Sequence, residues 1–227
     1  MMTPPESTEE SDAESAWRER VAKHRIDAIA SHCQVPPIKP QVNRFAFLRH
    51  GETQGNHLRI FQHAEIELNQ TGIEQAVQAA TLLAASGLAR VIASDMTRAW
   101  QTANILSNRL GVAPVAEPRL RERWFGDLVG TSSADLDWSF DPPNGDSLAD
   151  FVSRTRSGLE AALDTDQPTL LIAHGGTLYV LAYSLGVTLG EEMVKNATPL
   201  FFERREDAWT VKPVADTALA RGGNIGW

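Results

Sequence analysis

The chain of 227 residues has one cysteine, no long apolar run and fewer basic than acidic residues. Its single cysteine, Cys33, excludes an internal disulfide and fits a reducing compartment. No apolar run is long enough to cross a bilayer, and the acidic N-terminal stretch does not have the form of a signal peptide. The net charge of −8 disfavours nucleic acid, whose phosphates would be repelled. We therefore expect a cytoplasmic protein without a membrane or nucleic-acid partner.

The composition is typical of a globular protein, with 42% hydrophobic and 22% charged residues. Residues 1–14 are rich in Ser, Thr, Pro and acidic residues and predict a disordered leader. An imperfect helical spacing follows over residues 16–30, and the prolines of residues 35–40 end any helix. We therefore divide the chain into residues 1–43, an acidic leader with an added helix and a Pro-rich linker, and residues 44–227, the main domain.

Short apolar runs alternate with amphipathic segments from residue 45 onward. The runs are typical of buried strands, and the segments carry apolar residues at helical spacing. Strands are predicted over residues 45–48, 90–93, 111–115, 169–173, 199–204 and 209–214. Helices are predicted from Thr71 towards Gly87, over 97–110 with Gly111 at the end, from Ser147 to about 162, and over 178–185. This alternation predicts an α/β fold in three layers, a mostly parallel sheet with helices on both faces.

The string Arg49-His50-Gly51-Glu52-Thr53 directly follows the first apolar run. Ordinary residue usage would produce this string by chance about once in ten thousand chains of this length. It places a guanidinium and an imidazole at the end of a predicted strand, just before a glycine turn. Open α/β sheets bind their ligands at such strand ends. His50 is therefore a candidate site residue.

Two further predicted strands end in polar groups of the same kind. Arg98 follows the second strand, and His174 and Gly175 follow the fourth. The carboxyl ends of parallel strands share one edge of a sheet, so two guanidiniums and two imidazoles are expected to meet in one crevice. Such a cluster favours an anion, and the planar donors of arginine match phosphate oxygens. A neutral ring nitrogen of His50 can then attack phosphorus in line.

The motifs that carry a family resemblance run in a fixed order along residues 45–214. They are the string from Arg49 to Thr53 with Asn56 and Arg59 after it, the segment from Ser94-Asp95 to Gln101-Thr102-Ala103, the segment from Leu120 to Gly126, and Ala173-His174-Gly175-Gly176. Together they resemble the histidine phosphatase superfamily, the group that includes the cofactor-dependent phosphoglycerate mutases. The resemblance implies the phosphoglycerate-mutase-like form of the α/β fold.

The resemblance implies the same nucleophilic role for His50 and partners for the phosphoryl group. Arg49, Arg98 and His174 would bind the phosphoryl oxygens and offset the charge that spreads over them in the transition state. Asn56 can donate an amide hydrogen to the same group.

Glu122 lies in a segment that family members place over the pocket. It would protonate the leaving oxygen and then take a proton from the attacking water. Glu52 is a rival acid because it lies two residues from the nucleophile, but alternation along the extended segment and the family's pattern favour Glu122. No His, Cys or carboxylate set has the spacing of a metal site, and the positive cluster replaces the charge of a metal. We therefore expect no metal and no cofactor.

The sequence departs from the family after Arg59. Many relatives have Gln-Gly and then an Asp, whereas this chain has Gln62-His63-Ala64-Glu65. Gln62 and Gly175 remain candidates for substrate binding, and the role of Glu65 is doubtful. His63 and His57 are expected at the rim or the surface.

The segment between Gly130 and Ser147 is shorter than the insertion that closes over the substrate in the mutases. It carries Asp146 where phosphatase relatives commonly have Glu. Aromatic side chains in or near this segment are candidates either for a wall of the substrate site or for core packing: Trp124, Trp138 and Phe140.

Three functions are consistent with these residues. The short segment favours a metal-independent phosphatase of the histidine acid type, which would hydrolyse a small phosphomonoester through a phosphohistidine. A cofactor-dependent phosphoglycerate mutase would use the same residues but keep the phosphoryl group on the enzyme. The third function is an idle phosphate-binding regulatory module. Such a module would have no need for both a nucleophile and an acid, so the presence of both argues against it. The organic part of the substrate stays open, as does the oligomeric state, for which a homodimer is one option.

Overall fold

The computed structural model describes residues 27–32, 37–134 and 137–214. The predicted leader lies outside these ranges, as does most of the helix predicted over residues 16–30. Residues 27–32 of that helix are helical, and Ile29 is fully buried. The division of the chain at residues 43 and 44 stays a prediction. Within the described ranges, no helix is both long and apolar enough to cross a membrane.

One sheet of six strands organises the domain, in the order β3-β2-β4-β1-β5-β6. Its strands are β1 (Arg44–Arg49), β2 (Arg90–Ala93), β3 (Pro114–Ala116), β4 (Thr169–Ala173), β5 (Pro199–Arg205) and β6 (Ala208–Pro213). Strands β3, β2, β4 and β1 are parallel, whereas β5 is antiparallel to β1 and β6 is antiparallel to β5. The predicted α/β class is confirmed, with the last two strands as the antiparallel part.

Within residues 37–134 and 137–214, five α-helices accompany this sheet, and the longer ones pack on its two faces. They are α1 (Gln54–Leu58), α2 (Gln70–Leu83), α3 (Thr97–Leu110), α4 (Leu148–Leu163) and α5 (Gly175–Ser184), with 3₁₀ turns at Pro118–Leu120, Gly126–Leu128 and Glu191–Val194. Successive side chains of a strand point to opposite faces. In β1, Phe45 and Phe47 therefore pack with α4 and α5, and Ala46 and Leu48 pack with α2 and α3. Burial of both faces makes the three-layer arrangement.

Two helix starts differ from the prediction. The helix start predicted at Thr71 is wrong, because Asn69 caps α2 and its Oδ1 accepts from the Gly72 N–H at 2.8 Å. Helix α5 begins at Gly175, three residues before the predicted start. The predicted start of α4 and the predicted end of α3 are confirmed. Ser147 caps α4, and Gly111 ends α3 at a φ of 70°, which glycine adopts without strain.

Candidate active site

A cleft of about 170 Å³ opens at the carboxyl edge of the parallel strands. Most of the predicted site residues line it: Arg49, His50, Asn56, Gln62, Arg98, Glu122 and Gly175. His174 is fully buried directly behind, with its ring centroid 5.2 Å from that of His50. A larger cavity of about 460 Å³ shares Tyr179 with the cleft but contains none of these residues. The chemistry therefore belongs to the smaller cleft.

The hydrogen bonds of His50 define its tautomer. Its Nδ1 lies 2.7 Å from the carbonyl oxygen of Gly51, which can only accept, so Nδ1 carries the hydrogen. Its Nε2 therefore keeps the lone pair, and the Nε–H of Arg98 donates to it at 3.3 Å. Burial, together with the nearby charges of Arg98 and Arg49, holds the pKa of His50 well below its ordinary value. The ring is thus neutral at neutral pH and has a nucleophilic nitrogen.

His174 is oriented by the hydroxyl group of Ser94. Its Nε2 lies 2.8 Å from Ser94 Oγ, and the same oxygen accepts from the Met96 N–H at 3.3 Å. The hydroxyl hydrogen of Ser94 can therefore be donated to His174 Nε2, an arrangement that places the ring hydrogen on Nδ1. Nδ1 is buried and has no hydrogen-bond partner among the described residues. Burial and the charge of Arg98 lower the pKa of His174 well below its ordinary value, so the ring offers one N–H from a neutral imidazole.

Ser94→Ala should shift the tautomer equilibrium of His174. Without the hydroxyl hydrogen, nothing described holds the lone pair at Nε2, and the Nε2–H form of His174 should gain population. Nitrogen-15 NMR of labelled histidine distinguishes the two tautomers, and inorganic phosphate should bind the variant about 10-fold more weakly because one neutral donor is lost. Ser107→Ala, a buried serine of α3 away from the cleft, is the matched control. An unchanged His174 tautomer in the Ser94 variant would contradict this assignment.

Two guanidiniums make the cleft positive. Arg98 is 4% exposed, and its Nη1 donates to the carbonyl of His63 at 3.0 Å. Burial lowers its pKa to about 10, with the carboxylate of Glu122 acting in the opposite direction, so Arg98 stays charged at neutral pH. Nη1 of Arg49 donates to the carbonyl of Val194 at 2.7 Å. Both side chains are held by backbone oxygens, which fixes their charge beside His50.

Glu122 is the carboxylate that faces the cleft. Its Oε2 accepts from the N–H of Gly176 at 3.0 Å, at the start of α5, and its Oε1 accepts from the Arg123 N–H at 3.1 Å. A Cβ at position 176 would collide with this carboxylate. The rival, Glu52, is turned away, because its carboxylate accepts from Asn69 Nδ2 at 2.8 Å and it is not part of the cleft lining.

Asn56 is positioned with its amide nitrogen available. Its Oδ1 accepts from the Thr53 N–H at 3.2 Å and from Asn196 Nδ2 at 3.3 Å, so the oxygen is used within the protein. Asn196 also donates to the carbonyl of His50 at 2.9 Å. The amide hydrogens of Asn56 therefore remain for a ligand. Gln62 borders the same cleft and accepts from the Thr53 hydroxyl at 2.6 Å.

Arg123 anchors the segment between Gly130 and Ser147, which is shorter than the corresponding insertion of the mutases. Its side chain is fully buried, and its guanidinium donates to the carbonyls of Trp138, Phe140 and Asp146 at 2.6 to 3.0 Å. This brings Trp138 into the cleft wall, whereas Phe140 is 50% exposed and Trp124 is not part of the lining. His57 and His63 are exposed, as expected.

Sequence reasoning did not select Ser94, Arg123 or Asn196 as site residues. Ser94 had a usable signal, because it directly follows strand β2 at the edge where the other site residues lie. Asn196 had none, because its partner His50 is 146 positions away. Among the residues that the structure describes, no group of three or more His, Cys, Asp or Glu side chains could hold a metal ion. The expected metal independence stays a prediction.

Comparison with known families gives a match to one. The model of the histidine phosphatase superfamily (branch 1) matches residues 45–217. Among curated relatives, agropine synthesis reductase of Rhizobium rhizogenes is 34% identical over 182 residues, which cover 75% of this chain and 42% of that protein. The chain thus spans less than half the length of that relative.

Two other relatives match over most of their own length. Glucosyl-3-phosphoglycerate phosphatase of Mycobacterium tuberculosis is 32% identical over 64% of this chain and 76% of its own. A 2,3-bisphosphoglycerate-dependent phosphoglycerate mutase of Xanthobacter autotrophicus is 32% identical over 65% and 83%.

Solved structures of a mycobacterial glucosyl-3-phosphoglycerate phosphatase share the fold. The complex with VO3 has a TM-score of 0.64 and 28% identity, and it covers 75% of this chain and 97% of that one. The complex with inorganic phosphate has a TM-score of 0.61 and 27% identity, with 75% and 95% covered. The relatives therefore include both phosphatases and a mutase.

Proposed function

Because the chain belongs to the histidine phosphatase superfamily, we propose that it hydrolyses a small phosphomonoester through a phosphohistidine on His50. The observation that carries the proposal is the tautomer of this ring, with Nδ1–H bonded to a carbonyl and the Nε2 lone pair beside Arg98 in the cleft. Solved structures of a related phosphatase in complex with inorganic phosphate and with VO3 support a phosphoryl site in this fold.

The reaction proceeds in two displacements. Nε2 of His50 attacks phosphorus as the bond to the ester oxygen breaks, and the protonated carboxyl of Glu122 gives its proton to the departing alcohol. The phosphohistidine then reacts with water, whose proton returns to Glu122 while the bond to Nε2 breaks. Inorganic phosphate leaves, and both side chains are back in their starting states.

The surrounding donors stabilise the negative charge on the phosphoryl oxygens. Arg49 and Arg98 supply positive charge, and Nδ1–H of His174 and the amide of Asn56 supply neutral donors. Nδ1 of His174, which has no hydrogen-bond partner in the described part of the chain, supports this role, because a buried donor without a partner costs free energy that a bound phosphoryl oxygen would recover.

Glu122→Gln should slow hydrolysis of alkyl phosphates by about 100-fold or more, because the amide cannot protonate a poor leaving group. Aryl phosphates, whose phenolate leaves readily, should lose much less. The ratio of the two kcat values measures this difference, and Glu52→Gln is the matched control, expected to change neither substrate's rate strongly. Equal losses on both substrates would contradict the acid role of Glu122.

A phosphoglycerate mutase is the second candidate, since one relative carries that name. A mutase must shield its phosphoenzyme from water, which requires a substantial closing segment. Here the segment after Gly130 is short, and Arg123 anchors its described part by three carbonyls. This observation favours the hydrolase.

Phosphate release and isomerisation can be measured side by side. We expect phosphate release from simple phosphomonoesters without priming by 2,3-bisphosphoglycerate, and little conversion of 3-phosphoglycerate to 2-phosphoglycerate. Isomerisation that is faster than phosphate release and is accelerated by 2,3-bisphosphoglycerate would make the protein a mutase. Absence of both reactions, with phosphate still bound, would favour the idle module.

A further inference from the structure

Beyond the phosphoryl site, the walls of the cleft are aromatic and apolar. Phe61, Phe125, Trp138 and Tyr179 line it, each less than 9% exposed. The ring centroids of Phe61 and Phe125 lie 4.3 Å apart, and Trp138 meets the edge of Phe125 at 6.0 Å. These contacts form one continuous wall, which offers a substrate dispersion and burial of apolar surface.

The basic side chains of the described lining either flank the phosphoryl site or are hydrogen-bonded to loop oxygens. Arg49 and Arg98 flank His50, where the phosphoryl group must bind. The third guanidinium of the lining, Arg123, is fully buried and donates from all three nitrogens to loop oxygens, the carboxylate of Asp141 among them. No cation of the described lining therefore remains for a second anionic group.

Basic residues just outside the cleft are also paired with carboxylates. Arg154 binds Asp146 at 2.8 Å, and Arg121 binds Asp95 through two contacts of 2.6 Å. A carboxylate on the substrate would lose its hydration without gaining a charged partner from these groups. Away from the phosphoryl site, the described lining offers the uncharged polar groups of Gln62, Ser133 and Tyr179.

We propose that the substrate is the phosphate monoester of an uncharged alcohol with an apolar, ring-sized body. The proposal rests on the phosphatase function above and narrows it. The alcohol's body lies against Phe61, Phe125 and Trp138, and no part of it carries a charge. The substrate class therefore differs from phosphoglycerates and from the glucosyl-3-phosphoglycerate named for one relative, both of which carry a carboxylate.

Three primary alkyl phosphates test this class, because their leaving groups are of similar basicity. They are propyl phosphate, 3-phenylpropyl phosphate and 4-phosphooxybutanoate. We expect kcat/KM for the phenyl ester to exceed that for the propyl ester by about 10- to 100-fold, the range for burying one ring. The carboxylate ester should fall below the propyl ester by about 10-fold or more, because its charge meets no partner.

A variant that adds a cation to the lining should change the order of the kcat/KM values of the three esters. Ser133 borders the cleft and is half-buried, so Ser133→Arg should raise kcat/KM for the carboxylate ester relative to the propyl ester by about 10-fold. The neighbouring Ser132 is exposed and outside the lining, so Ser132→Arg adds the same charge as a matched control and should leave the ratio unchanged.

The outcomes separate this inference from the proposed function. Wild-type protein that hydrolyses the three esters equally, or that prefers the carboxylate ester, would overturn the uncharged substrate class while the phosphatase function stands. An equal response to Ser133→Arg and Ser132→Arg would also count against it. No phosphate release from any of the three esters would overturn the proposed function itself.

Discussion

His50→Ala is expected to reduce turnover by at least about four orders of magnitude, because the lost ring forms the bond to phosphorus. The cleft keeps its other donors, so phosphate should still bind. His50 is 3% exposed, but within the described part of the chain its side chain makes two hydrogen bonds, to Gly51 and from Arg98, and an alanine fits the strand end. The melting temperature should therefore stay close to that of the wild type.

The covalent intermediate gives an independent measurement. Wild-type protein quenched during turnover should carry a phosphoryl group that is labile in acid and stable in base, and the His50→Ala variant should carry none. His57→Ala is the matched control, because His57 is exposed on α1 and lies outside the cleft lining. A phosphoserine, or substantial turnover by the His50 variant, would disprove the mechanism.

Arg98→Ala should lower kcat by about a thousand-fold while KM changes little. Its guanidinium meets charge that grows on the phosphoryl oxygens in the transition state, and its Nε–H also holds His50 at Nε2. Arg98→Lys keeps the charge but loses the planar pair of donors, so it should recover only part of the rate. Steady-state kinetics on one alkyl phosphate measure both effects.

The control for this variant lies on the same helix. Arg109 is exposed in the last turn of α3, so Arg109→Ala removes the same charge away from the cleft and should leave kcat unchanged. EDTA should also leave the wild-type rate unchanged, because the guanidiniums supply the positive charge. Inactivation by EDTA that a divalent metal reverses, or a loss confined to KM in Arg98→Ala, would contradict this role.

The elements that were predicted well carry strong local signals. Strand β4 is buried throughout and was predicted with its observed bounds, as was α3 with Gly111 at its end. The start of α2 was misplaced because Asn69 and Thr71 are both capable N-caps, and the choice between them depends on contacts outside the helix. Asn69 also donates to Glu52, which lies 17 positions earlier in the chain.

The sequence alone was sufficient for the α/β class and for the meeting of Arg49, His50, Arg98 and His174 at one edge. The hydrophobic period is a local property, and the carboxyl ends of parallel strands share one edge whatever the strand order. The sequence already favoured Glu122 over Glu52, and the tertiary structure added the contact with Asn69 that turns Glu52 away. The tautomers of the two imidazoles and the aromatic wall came only from the tertiary structure. The tautomer of His174 and the aromatic wall depend on contacts between distant positions, such as His174 with Ser94, 80 residues apart. Hydrogen bonds and packing are directional at the scale of single atoms, and no pattern along the chain encodes which buried donor meets which acceptor.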